Sequence, residues 1–170
     1  MSEAQGVKDA VRDLLPTFRE RADETERLRT VPDSSVKELE ETGFFRLLQP
    51  RRFDGLEADP IDFYSCVRDI AGACGSTGWV YGLLASHQWL IGCFSRAAQD
   101  EVWLDPNALA AGTYAPVAQA VAVEGGYRVT GEWHFSSGYR QATWIGAHGH
   151  VVEPDGSARL NRFGRPTVRT

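Results

Sequence analysis

The feature that most limits what this chain can fold into is a change of hydrophobic period at Asp105-Pro106. Before that point apolar residues recur every three or four positions, the repeat of an amphipathic helix. From Leu109 onward they alternate, the repeat of a strand, with glycine-rich turns in between. Packed helices followed by strands make an α+β chain rather than an alternating α/β one. The expected organisation is a helical N-terminal domain over 1–105, a small and partial antiparallel β domain over 106–152, and a polar, basic tail over 153–170.

Within the helical part, Val7, Val11, Leu14, Leu15 and Phe18 form one stripe, and Pro16 is expected to kink or restart that helix. Ser35 and Glu38 have the spacing of a capping box, and Gly43 is placed as the following stop. Asp59-Pro60 reads as an N-cap with proline at the first helical position, ahead of Phe63, Val67, Ile70 and Cys74. Ser76 or Thr77 then caps a helix running from about Gly78 to Phe94. This helix lies in the longest charge-free run, Ile70 to Ser95, and is apolar almost all round, so it should be enclosed by others. Ser95 to Leu104 makes a short amphipathic helix.

The bulk numbers narrow the function classes. Eighteen Lys plus Arg against 23 Asp plus Glu give a net charge of −5. That argues against nucleic acid or an anionic membrane as partner, because both select basic patches. The charge-free run is interrupted by Ser76, Thr77, Ser86, His87, Gln88 and glycines, which suits a buried helix better than a bilayer span. Cys66, Cys74 and Cys93 are odd in number and widely spaced, with no C-x-x-C pair and a polar N-terminus. The expected home is a reducing cytoplasm. No Walker motif and no G-x-G-x-x-G is present.

The stretch Gly112 to Trp144 carries the most chemistry. Val121 and Val123 alternate with small or polar residues, Gly125-Gly126 supplies a turn, and Tyr127, Val129, Gly131, Trp133 and Phe135 fall on one face of an extended strand. If that strand stays extended, Ser137 points the same way. An aromatic ladder ending in a hydroxyl suits a flat heteroaromatic ligand; a strand whose aromatics are simply core is the commoner use of such a pattern. Trp144 to Val152 reads as a further strand. Its His148 and His150 face one way, but no carboxylate or cysteine lies at a matching spacing, so no metal site is expected. His134 reads as a surface residue. His87 sits among Leu83, Leu84, Leu90 and Ile91, where apolar surroundings favour the neutral imidazole that can accept a proton. A hydrogen-bonded core histidine is the alternative.

Five blocks, taken in order and spacing, resemble a known family: Leu47-Leu48-Gln49-Pro50, Cys74-Gly75-Ser76-Thr77-Gly78-Trp79-Val80, Tyr114-Ala115-Pro116, Gly125-Gly126-Tyr127 and Trp133-His134-Phe135-Ser136-Ser137-Gly138. They are similar to the oxygenase components of two-component flavin-dependent monooxygenases with the acyl-CoA dehydrogenase fold, nearest the secosteroid phenol hydroxylases and 4-hydroxyphenylacetate hydroxylases. The likeness covers Val7 to about Val152. It implies a helical domain, a β domain that holds reduced flavin, FMN or FAD, and a C-terminal four-helix bundle that completes the site and forms a tetramer. This sequence stops before such a bundle, and its tail departs from the family, which reads as a truncated product or a fragment.

The resemblance also implies residue roles. Phe135 stands where an aromatic meets the isoalloxazine, with Ser136 beside it, and Ser137 where a hydroxyl faces flavin N5. Thr113, Tyr114 and Ala115 match the segment on the pyrimidine side. His87 matches the substrate-side histidine, a base for a phenol, and Trp79, Tyr81 and Trp89 would line an aromatic pocket, with core as the alternative role. The implied reaction is hydroxylation of a phenolic or polycyclic aromatic substrate with O2 and reduced flavin from a separate reductase. Two rivals remain at this point. An acyl-CoA dehydrogenase proper usually carries Thr-Glu-Pro where this chain has Tyr114-Ala115-Pro116. The other is a non-catalytic remnant or accessory subunit.

Overall fold

A computed structural model describes residues 2–170. Its contacts divide the chain into two units: the chain through Ala110 together with Ser137–Trp144, and Ala111–Ser136 together with Ile145–Thr170. The segment after Ser136 thus packs with the helices, although it follows the hairpin in sequence.

The helical unit contains α1 (Glu3–Glu20), α2 (Ala22–Leu28), α3 (Asp33–Glu41), α4 (Pro60–Ala73), α5 (Gly75–Gly92) and α6 (Arg96–Val102), with 3-10 turns at Phe44–Arg46 and Arg51–Phe53. Helix α4 lies against both α1 and α5. Of the expected α1 stripe, Val7, Val11 and Phe18 are buried. The helix continues through Pro16 and breaks only at Arg21. Asp59 caps α4 as its sequence predicts, accepting from the Ile61 N–H at 2.8 Å, and Ser95 caps α6 through the Ala98 N–H. Gly43 lies at φ 81°, the left-handed stop after α3.

Two helix starts differ from expectation. Ser35 and Glu38 form no capping box, because α3 begins a turn earlier with Pro32 as its N-cap. Both side chains go instead to Arg21, whose guanidinium donates to Ser35 Oγ at 2.9 Å and to the two Glu38 oxygens at 2.6 and 2.8 Å. Helix α5 starts at Gly75 rather than Gly78. Cys74 is extended, and its carbonyl already accepts from the Gly78 N–H, so Ser76 and Thr77 lie inside the first turn and cap nothing. Gly78 permits the close crossing of α4, since a Cβ there would stand 2.6 Å from Ala71.

The core of this unit is aromatic. Phe45 and Phe18 meet the Tyr81 ring edge-on, and Phe44 bridges Phe45 and Phe63. A second cluster joins Ile91, Val102, Trp103, Ala108 and Ala110, with Phe53 against it. Buried Gln88 ties this cluster together by donating to the Ala108 carbonyl and accepting from the Trp103 indole, both at 2.9 Å. Burying an amide carries little penalty when both its ends are paired in this way. Helix α5 is not enclosed all round, however. It buries Tyr81, Leu84, Ala85 and Gln88 but leaves Trp79 and Trp89 exposed.

The β unit holds a four-stranded sheet in the order β2-β1-β3-β4, with β1 (Ala110–Val123), β2 (Gly126–Thr130), β3 (Trp144–Val152) and β4 (Val168–Arg169). β1 pairs antiparallel with β2, and β3 pairs antiparallel with β4. Val123 lies opposite Gly126, so the hairpin turn is Glu124-Gly125, one residue earlier than expected, with Gly125 at φ 80°. β3 has the bounds its sequence predicts. The tail folds back onto it through two side-chain-capped turns. Asp155 accepts from the Ser157 N–H, and Asn161 accepts from the N–H groups of Phe163 and Arg165. Gly156 and Gly164 take the left-handed positions of these turns.

Candidate functional site

The residues singled out from the sequence fall in both units. In the β unit, the expected long strand ends at Thr130, and residues 131–136 have no regular structure. Phe135 has a left-handed backbone, φ 61°, so the even alternation from Tyr127 to Ser137 does not hold. Its ring is 91% exposed and belongs to no core. A non-glycine residue pays about 1–2 kcal/mol for this conformation and keeps it only where neighbours enforce it.

Thr113 supplies that enforcement. Its hydroxyl donates to the His134 carbonyl at 2.7 Å and lies 3.0 Å from Ser136 Oγ. A hydroxyl has one hydrogen, so the Ser136 O–H must be the donor in the second bond. Both neighbours of Phe135 are thereby tied to one side chain of β1. Tyr114 is exposed, with its ring 6.0 Å from that of His148. His148 Nδ1 lies 2.8 Å from Thr170 Oγ1, and His134 is exposed beside Glu132.

In the helical unit, Ser137 Oγ accepts from the Trp79 indole N–H at 3.0 Å. The turn that follows is pinned to the same helix. Gly138 has φ 86°, and a Cβ there would stand 2.8 Å from Leu84, so both backbone and space require glycine. Gln141 donates to Thr30 Oγ1 and to the Val31 carbonyl, and the N–H groups of Thr143 and Trp144 reach the Leu109 carbonyl. The Leu84–Gly138 contact was not legible in the sequence; glycine after Ser-Ser was its only trace.

His87 is 4% exposed, and its Nδ1 lies 2.6 Å from the Leu83 carbonyl one turn back. A carbonyl only accepts, so Nδ1 carries the hydrogen, and in the neutral ring Nε2 is the basic nitrogen. Tyr81 is fully buried among Phe18 and Phe45, and burial pushes its phenol well above the ordinary range. Its place is in the core. The two tryptophans line different cavities. Trp79 borders one of about 510 Å³ with Arg29, Thr30 and Ser76. Trp89 borders one of about 320 Å³ with Leu48, Pro50 and Cys93. A further cavity of about 370 Å³, lined by Glu40, Arg46 and Gln88, was not anticipated, and burial raises the Glu40 carboxyl there.

Among the described residues no cluster of three or more His, Cys, Asp or Glu is placed to hold a metal, and no helix is long and apolar enough to cross a membrane. Cys66, Cys74 and Cys93 are all free thiols. A flavin ring needs aromatic surface for its face and hydroxyl or N–H groups for its edge. The exposed Phe135 ring and the Ser137 hydroxyl are of the right kind.

Comparison with known proteins gives the family. Residues 1–113 match the model of the acyl-CoA dehydrogenase N-terminal domain. The chain is 52% identical over 141 residues to the flavin-dependent monooxygenase oxygenase subunit HsaA of Rhodococcus jostii (strain RHA1), a match covering 82% of this chain and 37% of that protein. It is 44% identical to the oxygenase component of the FADH(2)-dependent resorcinol hydroxylase of Rhizobium sp. (strain MTP-10005), covering 75% of this chain and 31% of that one. The crystal structure of the HsaA monooxygenase from M. tuberculosis superposes with a TM-score of 0.89 at 43% identity, over 93% of this chain and 43% of that chain. The chain therefore spans well under half the length of these relatives. By its matched domain and its fold, this chain belongs to the acyl-CoA dehydrogenase N-terminal domain family.

Proposed function

We propose that this chain is the helical and flavin-holding portion of the oxygenase component of a two-component flavin-dependent monooxygenase, acting on a phenolic or polycyclic aromatic substrate. The observation that carries the reading is Phe135: an exposed aromatic held in a left-handed backbone by Thr113 packs into no core of the described residues. Strain kept at an exposed ring points to a ligand. Thr113, Tyr114, Ala115, Phe135 and Ser136 are the flavin-binding residues of the β unit, and Ser137 is that of the helical unit. Bound reduced flavin, FMN or FAD, supplies the electrons and activates O2.

The chain's own groups do the rest. The Ser137 hydroxyl holds the hydrogen at flavin N5. His87, its ring fixed by the Nδ1–H bond to the Leu83 carbonyl, is the proposed base for the phenol proton, and the phenolate ring carbon that results is nucleophilic enough to take an oxygen atom. Held by these residues, reduced flavin would supply the two electrons that take one atom of O2 to water as the other enters the ring. Trp79 and Trp89 border different cavities, and each is a candidate aromatic wall for substrate, while Tyr81 serves the core. A separate reductase delivers the flavin, the working assembly is a homo-oligomer, and the compartment is the reducing cytoplasm.

The relatives' names support the substrate class, since one is a resorcinol hydroxylase. The test supplies the protein with reduced FAD or FMN, O2 and resorcinol. The expected result is a product carrying one added hydroxyl with oxygen from O2. Bleaching of bound oxidised flavin by an acyl-CoA thioester, without hydroxylation, would instead favour a dehydrogenase.

A further inference from the structure

We propose that Trp79 is a positioning residue for Ser137, its indole N–H setting the direction in which the serine hydroxyl meets the flavin. The inference rests on the flavin reading above and goes beyond the substrate-lining role that the sequence suggests for Trp79.

Both residues belong to the helical unit, and the 3.0 Å contact fixes who donates. An indole N–H can only donate, so Ser137 Oγ accepts. That consumes one lone pair and leaves the hydroxyl hydrogen and a second lone pair for a ligand. The hydrogen suits a ring nitrogen without a proton, and the lone pair suits an N–H. A single oxygen can thus serve N5 of the flavin in its oxidised and its reduced form. Accepting a bond also polarises the hydroxyl and strengthens the bond in which its own O–H donates.

The backbone around Ser137 is already immobilised. Gly138 packs on Leu84, Gln141 bonds Thr30 and Val31, and Leu109 accepts from Thr143 and Trp144. What this leaves undetermined is the serine rotamer, and Trp79 settles it. Hydrophobic packing does not account for Trp79, whose ring is 64% exposed.

A double-mutant cycle tests this with Trp79→Phe, which keeps a ring and removes the donor, and Ser137→Ala. Three quantities are read: the ¹H–¹⁵N signal of the Trp79 indole in the flavin-free protein, the anaerobic dissociation constant for reduced flavin, and the thermal midpoint. Ser137→Ala is expected to move the indole signal. Trp79→Phe is expected to weaken reduced-flavin binding roughly three- to ten-fold, the net value of one hydrogen bond, with the midpoint unchanged, and to cost nothing further once Ser137 is alanine. Additive losses, an unmoved indole signal or a lowered midpoint would overturn the role of Trp79 while flavin binding by the wild type stands. A wild-type chain that binds no reduced flavin would overturn both the inference and the reading beneath it.

Discussion

Ser136 Oγ lies 3.0 Å from Thr113 Oγ1, and the bond between them fastens the residue after Phe135 to strand β1, while the Thr113 hydroxyl hydrogen fastens the residue before it. Replacing Thr113 with valine keeps the shape and removes both bonds. Because the site is exposed, the stability loss should be modest, about 1 kcal/mol by urea unfolding. The loss of reduced-flavin affinity should be larger in proportion, since Phe135 would relax from its left-handed backbone. Equal affinity in the variant would show that Thr113 is only a strand residue.

His87→Ala removes the proposed base and leaves Phe135 and Ser137 in the sequence. Reduced-flavin affinity should stay within about two-fold, and phenol hydroxylation in a single turnover should slow by roughly 10²- to 10⁴-fold, the usual worth of a positioned base. A parallel loss of flavin affinity would mean that the histidine supports the fold, a role its bond to Leu83 would also serve.

The Arg21–Glu38 pair gives a pH prediction of definite sign. The Arg21 hydrogen bond holds the Glu38 carboxyl below its ordinary range. A carboxyl depressed in the folded state adds stability that is fully present above the unfolded glutamate range. The contribution fades as pH falls through the folded value. Glu38→Gln should therefore cost about 1 kcal/mol at neutral pH, a figure reduced for partial exposure, and nothing at strongly acid pH. Chemical unfolding of both proteins across that range measures the difference; a gap that does not close on acidification would count against the pair.

Thiol reactivity should separate the cysteines. Burial pushes the Cys66 thiol up to about 11, whereas Cys93 is exposed. The thiolate is the reactive form. Mass spectrometry after brief iodoacetamide treatment at neutral pH should find Cys93 labelled and Cys66 untouched. Labelling of Cys66 at a comparable rate would mean that α4 is not packed as described.

Much of the fold is legible in the residues because local signals and burial agree there. Asp59-Pro60 caps α4, Gly43 ends α3, and β3 keeps its predicted bounds, each set by its own short stretch. The misses have non-local causes. Ser35 and Glu38 look like a cap until Arg21, distant in sequence, claims both. The turns at Asp155-Gly156-Ser157 and Asn161–Gly164 carry local turn residues, but a tail without apolar alternation gives no sign of the strands they join. For the candidate site the sequence nominates residues but does not show their geometry. An even alternation from Tyr127 to Ser137 requires one extended strand, whereas Phe135 turns left-handed and Ser137 packs with the helices beside Trp79.

The most direct test of the central claim is an anaerobic titration of the chain and of Phe135→Gly with reduced flavin, read beside urea unfolding of each. Glycine accepts φ 61° without strain, and the lost ring is exposed, so the variant should be at least as stable as the wild type, by up to about 1 kcal/mol. The account predicts that this equally stable protein binds reduced flavin at least ten-fold more weakly than the wild type. Undiminished binding by Phe135→Gly, or a wild-type chain that takes up no reduced flavin, would contradict it.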